Sequence, residues 1–249
     1  MLTVMTLNLS YLGDKHGDWP SRLPLIVATV EKHRPHLIAL QAVKRAPGSL
    51  DQADQLSCCL SDYPHVVFLP ATSRPDGSAD GSGFVSRFPA ERVAFRRLSV
   101  AADAEDKTER LVVHAAFRLA GDSLLHCFNG HFSWVPHQAL GNVSEALDFA
   151  ASASGNAVLL GDFNAMPNSE AVREISHRGW IDAWSVLKPQ DPGFTFESDK
   201  PSIRIDYIWV REGMKDRLRD VATFGTPGGP APRLSDHLGL VAKLDYPVL

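Results

Sequence analysis

The sequence predicts an α/β (α+β) protein built from two β-sheets packed face to face, with helices on the outside. Three observations predict it. Residues 157–160 and 36–40 are short runs without polar alternation, which is how a strand covered on both faces reads. Residues 110–119 do alternate, with Leu111, Val113, Ala115, Phe117 and Leu119 on one face of a strand. The order strand–helix–strand, then strands, then helix–strand, then strands occurs twice, with no linker long enough to divide it. Residues 1–249 are therefore expected to form a single domain, long enough to bury a substantial core.

The elements follow in order. A strand is expected over 2–9, then a loop over 10–20 rich in Gly, Asp and His. Ser21 is the expected cap of a helix running to about His33, with Leu23, Ile26, Val27 and Val30 on one face. Pro35 stops it, and the strand 36–40 ends at Gln41. A partly helical stretch at 50–60 precedes a strand at 65–69, a Ser/Gly/Asp-rich loop at 71–81 and extended segments at 83–86 and 92–100. An acidic turn, 101–109, leads to 110–119, and Gly121-Asp122 turns the chain into 124–132, a hairpin. Val135-Pro136 opens a helix with Leu140, Val143 and Leu147 inward. After the strand at 157 come a helix at 168–177 capped by Asn168 or Ser169, strands at 204–210 and 217–223, a Gly/Pro-rich loop at 225–232 and a last strand at 238–244.

Composition narrows the class without naming it. Hydrophobic residues make up 44% and charged residues 22%, ordinary for a globular protein, and the net charge of −4 supplies no global basic field. Cys58, Cys59 and Cys127 are odd in number and lack metal-ligand spacing, so free thiols in a reducing compartment are expected. No segment reaches the length of a membrane span, and a cytoplasmic protein is the default expectation.

Polar residues at strand ends carry the functional signal. In Gly161-Asp162-Phe163-Asn164 an acid and an amide leave a buried strand two positions apart, and in extended chain both would share a face. That pair suits a phosphate and its attacking water; it also suits a plain Asx-turn. Asn8 ends the first strand, His131 ends 124–131, and Asp236-His237 enters the last strand from a loop. Asp206 shares a face with Ile208 and Val210, and a buried carboxylate requires a partner. Each residue alone reads as structural: a hydrogen-bonded histidine, an ion-paired acid, a turn cap. Trp134, Trp180 and Trp184 read as core or rim aromatics and Arg96-Arg97 as a solvated edge. The shared position at strand ends shifts the balance toward a site on a rigid scaffold.

Seven stretches, in this order, resemble the endonuclease/exonuclease/phosphatase superfamily: Thr6-Leu-Asn8, Leu40-Gln41, Gly83-Phe-Val-Ser-Arg-Phe-Pro89, Asn129-Gly-His131-Phe, Gly161-Asp-Phe-Asn164, Arg204-Ile-Asp206-Tyr and Ser235-Asp236-His237. The resemblance implies a four-layered αββα sandwich of two mixed sheets and divalent-metal-dependent cleavage of a phosphate ester, most simply a phosphodiesterase or nuclease. It implies that Asp162 and Asn164 contact the phosphate and the nucleophilic water. His237 would be a base or water-orienting imidazole whose tautomer Asp206 fixes, and His131 would face the scissile phosphate. Asn8 and Asp236 would belong to a metal site holding Mg2+ or Mn2+, with Gln41 a weaker candidate; oxygen ligands suit these ions. A monomer acting on a phosphate-ester substrate, nucleic acid among the options, is the expectation.

One departure stands out. In the family a glutamate follows the glutamine, and here Ala42 follows Gln41. Alanine offers no ligand oxygen, and a glutamine amide carries no charge to replace the carboxylate. Three readings are open: a substitution that inactivates the chain, another acid in the ligand role (Asp14, Asp18 or Asp51), or a non-catalytic module that binds a phosphorylated ligand or nucleic acid. Lys15, His16, Arg74 and Trp134 are the expected rim contacts, and Arg110 is either a phosphate contact or an ordinary surface pair. The net charge, without a lysine-rich run, disfavours strong nonspecific duplex binding.

Overall fold

The chain lays down its strands and helices in the expected order, with differences mainly at their ends. The computed structural model describes residues 1–10, 15–102, 104–120 and 123–248. Strand β1 (Leu2–Asn8) leads to helix α1 (Trp19–His33), β2 (Leu37–Arg45), α2 (Gln52–Cys58), β3 (His65–Ser73), β4 (Ala79–Ser86), β5 (Ala90–Leu98), β6 (Arg110–Arg118) and β7 (Leu124–His131). Then follow α3 (Pro136–Ala151), β8 (Asn156–Asp162), α4 (Glu170–His177), β9 (Trp180–Asp182), α5 (Ala183–Leu187), β10 (Asp206–Arg211), β11 (Leu218–Phe224) and β12 (Gly239–Leu244).

These strands form two six-stranded mixed sheets, ordered β11-β12-β1-β2-β4-β3 and β5-β6-β7-β8-β10-β9. Each contains one parallel pair, β1/β2 and β7/β8, and the crossovers α1 and α3 make the two halves alike. One core lies between the sheets, where Leu2, Val4, Leu37 and Phe84 meet Val113, Phe117, Val158 and Ile208. A second joins the first sheet to α1 and α2 through Ile26, Val30, Leu56, Ile38 and Leu40, and a third joins the other sheet to α3 and α4 through Val143, Leu147, Ile175, Leu159 and Trp209. The result is an αββα sandwich.

Several details differ from the sequence reading. The cap of α1 is Asp18, whose side chain accepts from the Ser21 amide, and Pro20 sits in the first turn, where its missing N–H costs nothing. Ser169 is the cap of α4. Residues 71–81 are largely hairpin, because β3 and β4 pair beyond the expected strand ends. The short β9 and α5 are absent from the sequence reading; Trp184 of α5 fills the core between the sheets while Trp180 packs on the outer face. The Gly121-Asp122 turn lies outside the described residues. No helix among the described residues is long and apolar enough to cross a membrane, and Cys58, Cys59 and Cys127 are free thiols.

Candidate active site

The C-terminal ends of β1, β7 and β8 and the entries to β10 and β12 meet at one edge of the sandwich. Gly161 makes this possible. Its φ is 133°, and a Cβ there would lie 2.0 Å from the Gly130 carbonyl oxygen on the neighbouring parallel strand. Asp162 then ends β8. The chain does not continue extended: Asn164 is left-handed at φ 48°, and its amide donates to Asp162 Oδ1 at 2.8 Å. The Asx-turn is therefore real, and it corrects the expectation of two side chains leaving one face of extended chain. Both residues line the same cleft regardless.

Asp162 is the hub. Its Oδ2 accepts from Asn8 Nδ2 at 2.8 Å and lies 3.4 Å from His131 Nε2 and 3.8 Å from His237 Nε2. Asn8 is fixed in turn by the Ser10 amide, which donates to its Oδ1 at 2.8 Å. On the far side of His237, Nδ1 lies 2.9 Å from Asp206 Oδ2, and Nε2 lies 3.9 Å from Asp236 Oδ1. The Phe196 ring packs on the imidazole with centroids 4.8 Å apart. Asn164 Nδ2 donates to the Phe132 carbonyl at 2.9 Å, locking its amide.

The two histidines carry opposite electrostatics. Burial alone would depress His237, but the carboxylates of Asp206, Asp162 and Asp236 outweigh it and hold the imidazole at about 10. Burial also depresses His131, and there it wins: Asp162 opposes it, Arg110 and His237 add repulsion, and the value falls to about 3. Without a cation, at neutral pH, the cleft thus presents one imidazolium and one neutral imidazole that both face Asp162 Oδ2.

Other expected residues divide between the cleft and elsewhere. Asp236 and Trp134 line the cleft, and Trp134 is 52% exposed. Gln41 is turned into the core between the sheets, donating to Thr6 Oγ1 at 3.0 Å and Asn129 Oδ1 at 2.7 Å, so its amide is engaged there. Ala42 is wholly buried at φ 54°, in a bulge of β2 between Leu40 and Val43. Lys15 and His16 are not among the cleft residues: Lys15 pairs with Glu197 and Asp199 in solvent, and His16 is buried beside Asp199. Arg110 is neither a surface pair nor a free cation. It is buried, donates to Asp106 from Nε and Nη2, and donates to the His131 carbonyl from Nη1 at 3.2 Å. Of the substitute acids, Asp18 and Asp51 are helix caps outside the cleft, and Asp14 lies outside the described residues.

The sequence reading missed the wall formed by 105–110, and with it Asp106. Burial would raise the Asp106 carboxyl, but hydrogen bonds from Ser133 and Thr108 and the Arg110 charge hold it down at about 2. It also missed Asp80, which lines the cleft from β4 and pairs with Arg74 at 2.6 Å. Their only sequence signal was an acid beside an arginine in a polar stretch. The cleft encloses about 770 Å³.

The donors fit a hard divalent cation in kind. Buried oxygens of Asp162, Asp206 and Asp236 surround one imidazole, and single donor atoms of Asp162, Asp206 and His237 lie within 4.8 Å of one another. Ala42 contributes no ligand oxygen to that set.

Comparison with known proteins gives the family and the fold. The Endonuclease/Exonuclease/phosphatase family profile matches residues 5–237, and the chain belongs to that family, whose members are divalent-metal-dependent hydrolases of phosphate esters. Among solved structures, an endonuclease/exonuclease/phosphatase family protein from Leptotrichia buccalis is similar at TM-score 0.79 and 18% identity, covering 98% of this chain and 100% of that one. A mannosyl-6-phosphatase from Bacteroides thetaiotaomicron is similar at TM-score 0.75 and 17% identity, covering 98% and 99%. The human Nocturnin catalytic domain with bound sulfate is similar at TM-score 0.69 and 19% identity, covering 98% and 94%. Among curated protein sequences nothing matches. At these identities the likeness shows the fold alone.

Proposed function

We propose that this chain hydrolyses a phosphate ester in the cleft around Asp162. The observation that supports this reading is the convergence of Asp162, His131 and the His237–Asp206 pair on one point of a water-accessible cavity. Asp162 accepts from the attacking water and sets its line of approach, because Asn8 and the Asn164 amide hold its carboxylate still. Asp206 fixes the His237 ring through Nδ1, so that Nε2 is presented to the attacking water and the phosphoryl group beside Asp162. His131, neutral, donates to a phosphoryl oxygen. Asp236, Asn8 and Asp162 would hold the divalent cation, which supplies Lewis-acid charge at the phosphoryl group when bound.

The test is turnover of p-nitrophenyl phosphate and its bis ester with Mg2+ and Mn2+, comparing the chain with His237→Ala. Turnover abolished in the variant supports the reading. If neither the chain nor Ala42→Glu cleaves any ester, catalysis is excluded. Ala42 motivates the second reading, a non-catalytic binder: calorimetric binding of phosphate without turnover is its signature.

A further inference from the structure

The charges that line the cleft limit what can enter it. Among the described residues the lining acids are Asp80, Glu105, Asp106, Glu109, Asp162 and Asp236, and the lining cations are Arg74, Lys107 and Arg110. Two of the cations are already committed, Arg74 to Asp80 and the buried Arg110 to Asp106. Six acids against three cations leave the lining net negative, and one divalent cation does not turn it into a basic field. The residues outside the described set contain no lysine or arginine, so they cannot add one. Just beyond the rim, Lys15 is held by Glu197 and Asp199, and Arg233 by Asp199. A nucleic-acid strand carries a charge per nucleotide and requires a track of cations to neutralise successive phosphates; among the described residues the cleft lining offers no such track.

Two aromatic rings line the cleft: Phe196 packs on the His237 imidazole, and Trp134 is exposed. The Trp134 loop is pinned: Arg110 holds the His131 carbonyl, the Ser133 hydroxyl donates to Asp106 at 2.7 Å, and the Val135 amide donates to Ser133 Oγ at 3.2 Å. A rigidly presented indole three residues from His131 is a platform for a ring attached to the phosphate under attack.

We propose that the cleft takes a compact ester with a single phosphoryl group and a planar ring seated on Trp134, and that it discriminates against polynucleotides. This rests on the hydrolase reading for the bond that is cut, but the selectivity can be measured by binding alone.

The experiment uses the full chain with Mn2+. Binding of p-nitrophenyl phosphate, ethyl phosphate, a nucleoside monophosphate and a labelled single-stranded 12-mer is measured by calorimetry and fluorescence anisotropy across a salt series, with kcat and KM where turnover occurs. The 12-mer is expected to bind no tighter than the mononucleotide, with a log–log salt slope no steeper than about −1, the value for a single phosphate contact. Trp134→Ala is expected to weaken p-nitrophenyl phosphate about tenfold, seen in KM rather than kcat, and to leave ethyl phosphate unchanged. Glu105→Lys with Glu109→Lys is expected to tighten the 12-mer at least about tenfold at low salt. A 12-mer bound about tenfold tighter than the mononucleotide, with a slope steeper than about −2, overturns the proposal, as does equal p-nitrophenyl phosphate affinity with and without Trp134. If no ester turns over, the hydrolase reading fails while the binding arms still decide the selectivity.

Discussion

Replacing Asp206 by asparagine isolates the charge on which His237 depends. In EDTA no cation shields the carboxylates, and the imidazole, at about 10, is protonated across the neutral range. Its value in the unfolded chain is about 6.5, so the shift corresponds to at most about 5 kcal/mol of stability, shared among Asp206, Asp162 and Asp236. Asp206 is nearest, at 2.9 Å, and both partners are buried, so removing its charge breaks a buried pair at a cost of about 3–5 kcal/mol. For a chain of this length that lowers Tm by roughly 6–20 °C. The sign of the pH dependence follows from the raised value. The stabilisation is complete below about 6.5 and is lost as pH rises through about 10. Melting curves of the parent and Asp206→Asn in EDTA should therefore lie far apart at about pH 6.5 and converge towards about pH 10. With Mg2+ or Mn2+ present, kcat/KM should fall about 10²–10⁴-fold in the variant. A Tm gap that stays constant across this range, or no gap at all, would refute the argument that Asp206 acts by charge on His237.

Three further outcomes follow from other parts of the fold. Ala42→Glu restores a carboxylate at a fully buried bulge, so calorimetry should find Mn2+ or Mg2+ bound at least about tenfold more tightly, with the metal-free variant melting lower than the parent; unchanged affinity would place the cation's ligands elsewhere. Asn129→Ala removes the donor to the Leu40 and Gly83 carbonyls and the acceptor for one Gln41 N–H between the sheets, and should cost about 3 kcal/mol or more in urea unfolding; a cost near zero would mean that water replaces the bridge. His114 is lowered to about 4, by burial first and then by His126 and Arg92, so the folded state resists its protonation: stability should be lost as pH falls from about 6.5 towards 4, by about 3 kcal/mol, and His114→Phe should flatten that acid limb. An acid limb unchanged by that variant would assign the loss to other groups.

The sequence by itself determined the two-sheet sandwich and most residues of the candidate site. Periodicity carries strand position better than strand burial: residues 157–160 read as covered on both faces and are, whereas 110–117 alternate in sequence yet are buried on both faces, because Val112 packs in the core beneath α3 while Leu111 and Val113 face the core between the sheets. Asp206 was legible as an acid on an apolar face, and the misfits Asn8, His131, Asp162, Asn164, Asp236 and His237 were legible as polar groups at strand ends. What the tertiary structure decided is every distance and every charge state between them. Asn8 and Asp162 are 154 positions apart and become hydrogen-bonded only because β1 and β8 end at the same edge of two different sheets. The opposite protonation of His131 and His237 depends on how many carboxylates each ring meets after burial, which no spacing encodes. Arg110 read as a phosphate contact or a surface pair because Asp106 lies in a stretch without periodicity, and only packing buries the Arg110–Asp106 pair against the His131 carbonyl. Gln41, one residue from the departure at Ala42, belongs to the bridge between the sheets, since its direction was set by the bulge rather than by its neighbours in sequence.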